Sequence, residues 1–235
     1  SYLIKTPHIN LWGVFFYFMN KYLEFIKVLE KIASETKRDL DEIELIAVSK
    51  KKPVELIKKV IANGCQSFGE NQLQEVENKW IELKKEYSHI KLHFLGNIQS
   101  KKTEKIFQLC DAIHSIDREK IVQKLKICED KFQLKKEYFI QINTGDEPQK
   151  SGVASNISEV FIDKCINEYN LEVKGLMCIP PQDENPEKHF LKLRDLGKNF
   201  NLPYLSMGMS EDFDIAIRCG ATHIRVGTKI FGARA

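Results

Sequence analysis

The chain has 235 residues, 36 Lys and Arg against 33 Asp and Glu, a formal charge of +3, and 43% hydrophobic residues. That length holds one large domain or two small ones, and the apolar content is that of a globular core. Basic and acidic residues are interleaved along helical stretches, which argues against a nucleic-acid surface, because phosphate contacts need clustered positive charge. The cysteines (Cys65, Cys110, Cys128, Cys165, Cys178, Cys219) are scattered, with no CxxC pair and no His at ligand spacing. They are expected to be reduced, mostly buried thiols in a cytoplasmic protein, with no metal site.

The first 18 residues differ from the rest. Leu11 to Met19 is aromatic-rich and apolar but too short for a membrane-crossing helix, which needs about 20 residues. A signal-peptide core is disfavoured, because no small-residue cleavage site follows before Asn20-Lys21-Tyr22-Leu23-Glu24 enters a helix. The chain begins on Ser1, and Met19 can serve as an initiator. Residues 1–18 are therefore expected to be an extension outside the fold, and 19–235 the folded domain.

From Asn20 to about Lys37, Leu23, Phe25, Ile26, Leu29 and Ile32 recur at helical spacing, which predicts an extra N-terminal helix. Leu45-Ile46-Ala47-Val48-Ser49-Lys50 follows, an apolar run that ends on a lysine and stops at Pro53. Apolar on both faces, it reads as a strand of a parallel sheet covered by helices. Pro53 to Asn63 is a helix with Gly64 just past its end. Cys65 to Gly69 is a second strand and Asn71 to Glu86 a helix charged on its outer face.

The alternation continues through strand-like runs at Leu92 to Leu95, Ala112 to Ile116, Tyr138 to Asn143, Val173 to Ile179, Tyr204 to Met207 and Thr222 to Val226. Between them lie amphipathic segments at Ser100 to Leu109, Arg118 to Lys131, Ile157 to Tyr169, Pro186 to Phe200 and Glu211 to Cys219. About eight strand–helix units predict an α/β protein, a single (β/α)8 TIM barrel, for which about 250 residues is typical. An open doubly wound sheet fits the rhythm less well, since Ser49 to Pro53 lacks a Gly-rich dinucleotide fingerprint.

Chemistry gathers at the strand ends. Alternation places Ile46, Val48 and Lys50 on one face, with Lys50 at the carboxyl end, where α/β folds keep their ligand sites. A lysine against an apolar wall loses hydration, which lowers its pKa and frees the amine to attack a carbonyl. A solvated Lys50-Lys51-Lys52 cluster is the competing reading. Strand seven runs into Leu205-Ser206-Met207-Gly208-Met209-Ser210 and strand eight into Arg225-Val226-Gly227-Thr228. In barrels these two loops often form a phosphate site; Gly227 lets backbone approach an anion, and Ser206, Ser210 and Thr228 offer hydroxyl donors. Any one of these glycines alone would serve equally for a tight turn. Arg225 lies within an apolar strand, where it either meets a carboxylate on the helix side or faces a ligand and donates to an acceptor nitrogen. His93 and His114 stand either near the ligand or in the core, Asp146, Glu147 and Lys150 form a polar loop read first as a solvated lid and second as a ligand contact, and Met177 is read as core rather than site.

A lysine, a phosphate cradle and an arginine donor describe a pyridoxal 5′-phosphate site. Ala47-Val48-Ser49-Lys50, Phe68-Gly69-Glu70-Asn71, His93-Phe94-Leu95-Gly96, His114-Ser115-Ile116-Asp117, Lys150-Ser151-Gly152, Gly175-Leu176-Met177, Leu205-Ser206-Met207-Gly208-Met209-Ser210 and Arg225-Val226-Gly227-Thr228…Phe231-Gly232-Ala233-Arg234 resemble the pyridoxal phosphate homeostasis protein family, also called proline synthetase co-transcribed proteins. The similarity runs in order from about Asn20 to Ala235. It implies the barrel of the alanine racemase N-terminal domain (fold-type III), with Lys50 as the Schiff-base lysine, Ser206, Gly227 and Thr228 on the phosphate, and Asn71, Met207 and Arg225 lining the cofactor. The sequence departs from the family at Lys51, where a small polar residue is usual; strand parity assigns the reactive amine to Lys50.

The resemblance implies a role in vitamin B6 homeostasis, with the cofactor held as an internal aldimine and no committed catalytic residue; the alternative is an amino-acid racemase of alanine racemase type. Racemisation needs acid/base groups on both faces of a carbanion. In alanine racemase the second group is a tyrosine at a face completed by a partner's β-domain, and this sequence stops at Ala235, soon after strand eight. An arginine on the ring nitrogen also leaves that nitrogen unprotonated and weakens the electron sink. Both points favour a carrier that hands its cofactor to apo-enzymes, as a monomer or weak dimer. A barrel enzyme acting on a sugar phosphate is a third reading.

Overall fold

Eight short runs become eight parallel strands that close on one another. The structure, a computed structural model, describes residues 11–232, with side chains from Lys21 onward. The strands are β1 (Glu44–Val48), β2 (Ser67–Glu70), β3 (Lys91–Phe94), β4 (Ala112–Ile116), β5 (Glu137–Asn143), β6 (Val173–Cys178), β7 (Tyr204–Ser206) and β8 (His223–Val226). Each pairs in parallel with the next, and β8 pairs with β1. The open doubly wound alternative is thereby excluded. A two-residue strand, Val153–Ala154, adds to the end of β5.

Helices follow the strands where the sequence places them. Val54–Ala62 begins after Pro53, and Pro186–Asn199 begins with Pro at its first position and the Asn185 side chain accepting from the Glu187 amide. Segment 73–86 is not a regular helix, because a π turn occupies Val76–Trp80. The wider turn lets the adjacent residues Lys79 and Trp80 both face the barrel, and both are buried.

The first helix, α1, runs Leu11–Glu35 and so begins ahead of Asn20. Of the expected 1–18 extension, residues 1–10 lie outside the described residues. Tyr22, Phe25, Leu29 and Ile32 face inward, and Phe25 meets the Phe213 ring at 4.9 Å. Leu23, expected on that face, turns outward, because its position is a third of a turn off the stripe.

The core has two compartments. Between strands and helices it is apolar, with Ala47, Phe68, Leu92, Ile113, Ile140 and Leu176 all buried. Inside the barrel, alternate residues of the same strands are largely polar: Glu44, His93, His114, Ser206, His223 and Arg225. Met177, read as core, is fully buried on β6.

Candidate functional site

The register between β1 and β8 brings the candidate lysine and the candidate anion cradle to the same rim. Ala47 pairs with Val226, and a Cβ on the next residue, Gly227, would come within 3.2 Å of the Val48 carbonyl oxygen. Lys50 lies two residues beyond Val48, about 7 Å along the chain direction at strand rise. Gly227 leads into a four-residue helix, Thr228–Phe231, and its amide approaches the Ser210 hydroxyl at 3.4 Å. The loops after β7 and β8 thus join where first-turn amides lack helical partners.

The turn that carries Lys50 is clamped from behind. The Ser49 amide donates to the Gly69 carbonyl at 3.0 Å, and its hydroxyl donates to Glu70 Oε1 at 2.6 Å. Glu70 has no solvent exposure; its Oε1 also takes Trp80 Nε1 at 3.1 Å and Lys79 Nζ at 2.5 Å, while Oε2 has no hydrogen-bond partner among the described residues. Lys79 Nζ further donates to the Ser49 carbonyl at 2.9 Å and to Glu75 at 2.8 Å, and Glu75 accepts the Lys51 amide at 2.6 Å. Burial opposes ionisation of Glu75, but its bonds to Lys79 and the Lys51 amide outweigh it and hold the carboxyl below its ordinary range. Ser49 therefore faces the helix side, and alternation puts half-buried Lys50 on the mouth side. Lys51 sits at φ +58°, a left-handed turn that diverts the chain after Lys50.

Asn71 continues the inward face of Gly69 past β2 and is half-buried. Gly96 lets the end of β3 reach it: a Cβ there would lie 1.9 Å from the Asn71 carbonyl oxygen. Arg225 faces the barrel interior, donating NH1 to Ser206 Oγ and NH2 to the Cys178 carbonyl, each at 2.8 Å. A guanidinium has five N–H donors, so these two bonds leave others. Burial lowers its pKa, opposed by the nearby Asp212 carboxyl.

The candidates differ in exposure. Lys50, Asn71 and Gly227 are half-buried and Thr228 is exposed, all along the rim. Ser206 and Met207 have no exposure, and Arg225 is buried as well. The Ser206 hydroxyl is turned inward and engaged by Arg225 and His114, because its strand position has inward parity. Met207 has the opposite parity and lies in the apolar core behind the sheet. Ser210, in the β7 loop, is the serine beside Gly227.

His93 and His114 are fully buried and bonded to each other, Nδ1 to Nε2, at 2.9 Å. The loop with Asp146, Glu147 and Lys150 is stitched to itself: Asn143 bonds the Glu147 backbone, Lys150 pairs with Glu147 at 2.6 Å, and Asp146 accepts the Ser155 amide at 2.7 Å.

The model for the alanine racemase N-terminal domain matches residues 28–235. A pyridoxal phosphate homeostasis protein of Aquifex aeolicus is 36% identical over 229 residues, covering 92% of this chain and 99% of the relative. One from Pseudomonas aeruginosa is 38% identical, covering 88% and 91%. The chain belongs to the pyridoxal phosphate homeostasis protein family. Among solved structures, PipY of Synechococcus elongatus, determined with PLP bound, superposes with a TM-score of 0.75 at 29% identity, covering 87% of this chain and all of PipY. The barrel of this family member is thus the alanine racemase N-terminal type, with α1 added.

Three residues that bear on the site escaped the sequence reading: Glu70, Glu75 and Lys79 of the clamp. Glu70 carried a readable signal, since it is a carboxylate at an outward position of a buried strand and must find a cation. Lys79 carried none, because only the π turn brings it inward.

Proposed function

We propose that this chain binds pyridoxal 5′-phosphate, holds it as an internal aldimine on Lys50, and serves vitamin B6 homeostasis as a carrier without committed turnover. The observation that carries the reading is the β1–β8 register, which sets Lys50 and the Gly227 cradle on one rim. The residues fit the group. A doubly charged phosphate suits the joined loops at Ser210, Gly227 and Thr228, where a Cβ at 227 would crowd the Val48 carbonyl. Asn71 lines the mouth, and Arg225 offers its remaining donors to the ring nitrogen. Ser206 and Met207 support the site from behind, Ser206 through Arg225 and Met207 through packing.

When bound, the cofactor supplies an aldehyde that a lysine amine can capture reversibly. The clamp of Glu70, Lys79 and Glu75 fixes the backbone on both sides of Lys50, so the amine is presented from an ordered turn. Arg225 bears on the electronics of the group the site would hold. A guanidinium does not give up its proton at neutral pH, so a ring nitrogen facing it remains an acceptor and draws electrons weakly.

The six cysteines are unpaired and buried, which supports a cytoplasmic setting. No described helix is long and apolar enough to cross a membrane. Apo-enzymes that need the cofactor are the partners this function requires, and a monomer or weak dimer would leave the mouth accessible to them. The test is a visible spectrum of protein loaded with pyridoxal 5′-phosphate. Lys50→Ala is expected to lose the borohydride-reducible chromophore, whereas Lys51→Ala keeps it; the reverse pattern refutes the assignment. Sustained conversion of an L-amino acid to its D-form at enzyme-like rates refutes the carrier reading.

A further inference from the structure

The polar side chains inside the barrel form one continuous line from rim to floor. Arg225 NH1 lies 2.8 Å from Ser206 Oγ, and Ser206 Oγ lies 2.9 Å from His114 Nδ1. His114 Nε2 is hydrogen-bonded to His93 Nδ1 at 2.9 Å, and His93 Nε2 ends the line in an electrostatic contact 2.9 Å from Glu44 Oε1, off the hydrogen-bond direction. A branch joins at the floor, where His223 Nε2 is 3.0 Å from Glu44 Oε2 and its Nδ1 is 2.8 Å from Thr222 Oγ1. Glu44 borders a floor cavity of about 350 Å³ on the side opposite the mouth.

The two ends dictate the direction of every link. A guanidinium only donates and a carboxylate only accepts. A hydrogen on His93 Nε2 faces the Glu44 carboxylate 2.9 Å away, whereas the other tautomer would set a lone pair against that charge. Burial keeps His93 neutral, and burial together with His93, His223 and Arg225 keeps His114 neutral. With His93 Nδ1 bare, His114 must donate from Nε2. With His114 Nδ1 bare, Ser206 must donate its hydroxyl hydrogen, and its oxygen lone pair takes Arg225. No link has a second arrangement while both ends keep their charge.

Arg225 has no carboxylate in hydrogen-bond contact among the described residues, and Asp212 acts on it only through space. At the floor, Lys91 pairs with Glu44 at 3.1 Å and with Glu137 at 2.8 Å. Among the described residues no group of three His, Cys, Asp or Glu side chains is placed to hold a metal ion. The His93 and His114 nitrogens serve one another.

We infer that Glu44, His93 and His114 are positioning residues for Arg225, a one-way polar line that holds its guanidinium to the mouth. This rests on the binding of pyridoxal 5′-phosphate proposed above. The line exists to keep a permanently charged donor at the ring-nitrogen end of the site, where a drifting guanidinium would cost both affinity and a fixed chromophore.

The first test is nitrogen NMR of the full chain labelled in its histidines, without cofactor, at neutral pH. His93 and His114 are expected as Nε2–H tautomers with bare Nδ1; the opposite tautomer at either, or a charged imidazole, overturns the inference. The second test uses pyridoxal 5′-phosphate as the probe, read by visible absorption. His114→Phe breaks the line and is expected to weaken binding about tenfold and shift the absorption maximum, as loss of a bond to a charged group does. His114→Gln, which can accept from Ser206 and donate to His93, is expected to restore binding to within about threefold. Equal binding by all three proteins, or equal loss in both variants, overturns the link to Arg225. Should His114→Phe not fold, Ser206→Ala cuts the same line and carries the same expectations. Failure of the wild type to bind the probe, with the tautomers as assigned, refutes the proposed function while leaving the line itself in place.

Discussion

Replacing Lys79 by Met tests whether the clamp behind Lys50 is held by charge. Glu70 has no exposure and the Lys79 side chain 10%, so the pair is dry, and Met keeps the length of the chain while removing the ammonium. Glu70 Oε1 would then retain only the neutral donors Ser49 and Trp80. Breaking a buried pair by removing one partner costs about 3–5 kcal/mol, since the other charge stays uncompensated. At roughly 2–4 °C per kcal/mol for a chain of this size, Tm falls by about 6–20 °C. The double variant Glu70→Gln with Lys79→Met removes both charges, and replacing both partners should recover most of the loss. Urea unfolding followed by tryptophan fluorescence reads all four corners of the cycle, with Trp80 itself in the clamp. A Lys79→Met cost below about 1 kcal/mol, or a double variant as unstable as the single, refutes the charge argument.

The remaining predictions concern packing and pH. Gly96→Ala drives a methyl to 1.9 Å from the Asn71 carbonyl oxygen, so backbone must shift; a loss of about 1–3 kcal/mol and weaker cofactor binding are expected, measured by thermal melts and absorption titration. Phe25→Ala removes the α1 ring that meets Phe213 at 4.9 Å and should cost about 3–5 kcal/mol in urea melts if α1 is part of the cooperative unit. His93 and His114 have folded pKa values below the ordinary one, so the unfolded chain binds protons first as pH falls. Their stabilisation is present above an unfolded pKa of about 6.5 and lost below it, at up to about 1.4 kcal/mol per pH unit for each. Between pH 7.5 and 5 the wild-type urea midpoint should drop, and His114→Gln should drop less steeply; equal slopes would place the pH dependence elsewhere.

The barrel was legible because its outer core obeys simple periodicities. Each strand presents apolar residues to the helices, each helix shows a stripe at helical spacing, and the strand count matched closure. What was not legible needs coordinates that periodicity does not carry. The π turn at Val76–Trp80 leaves the sequence looking like an ordinary charged helix, yet it brings Lys79 beside Glu70. Leu23 and Phe25 are both apolar, and only the docking of α1 on Phe213 decides that Phe25 turns inward.

Strand parity governs more of the site than Lys50. Ser206 and Arg225 share inward positions on β7 and β8 and meet at 2.8 Å. Applied to all strands, it places Glu44, His93, His114, Ser206, His223 and Arg225 on one interior surface. Barrel interiors are ordinarily filled by branched apolar side chains, so polar groups at inward positions on five strands cannot be incidental packing. Each must find a partner across the lumen, and a donor-only arginine and an acceptor-only carboxylate among them require an ordered line between. The phosphate cradle follows a different rule. It belongs to residues past the strand ends, where parity lapses and backbone amides come free, which is why Ser210 and Gly227 meet there while Ser206 turns away.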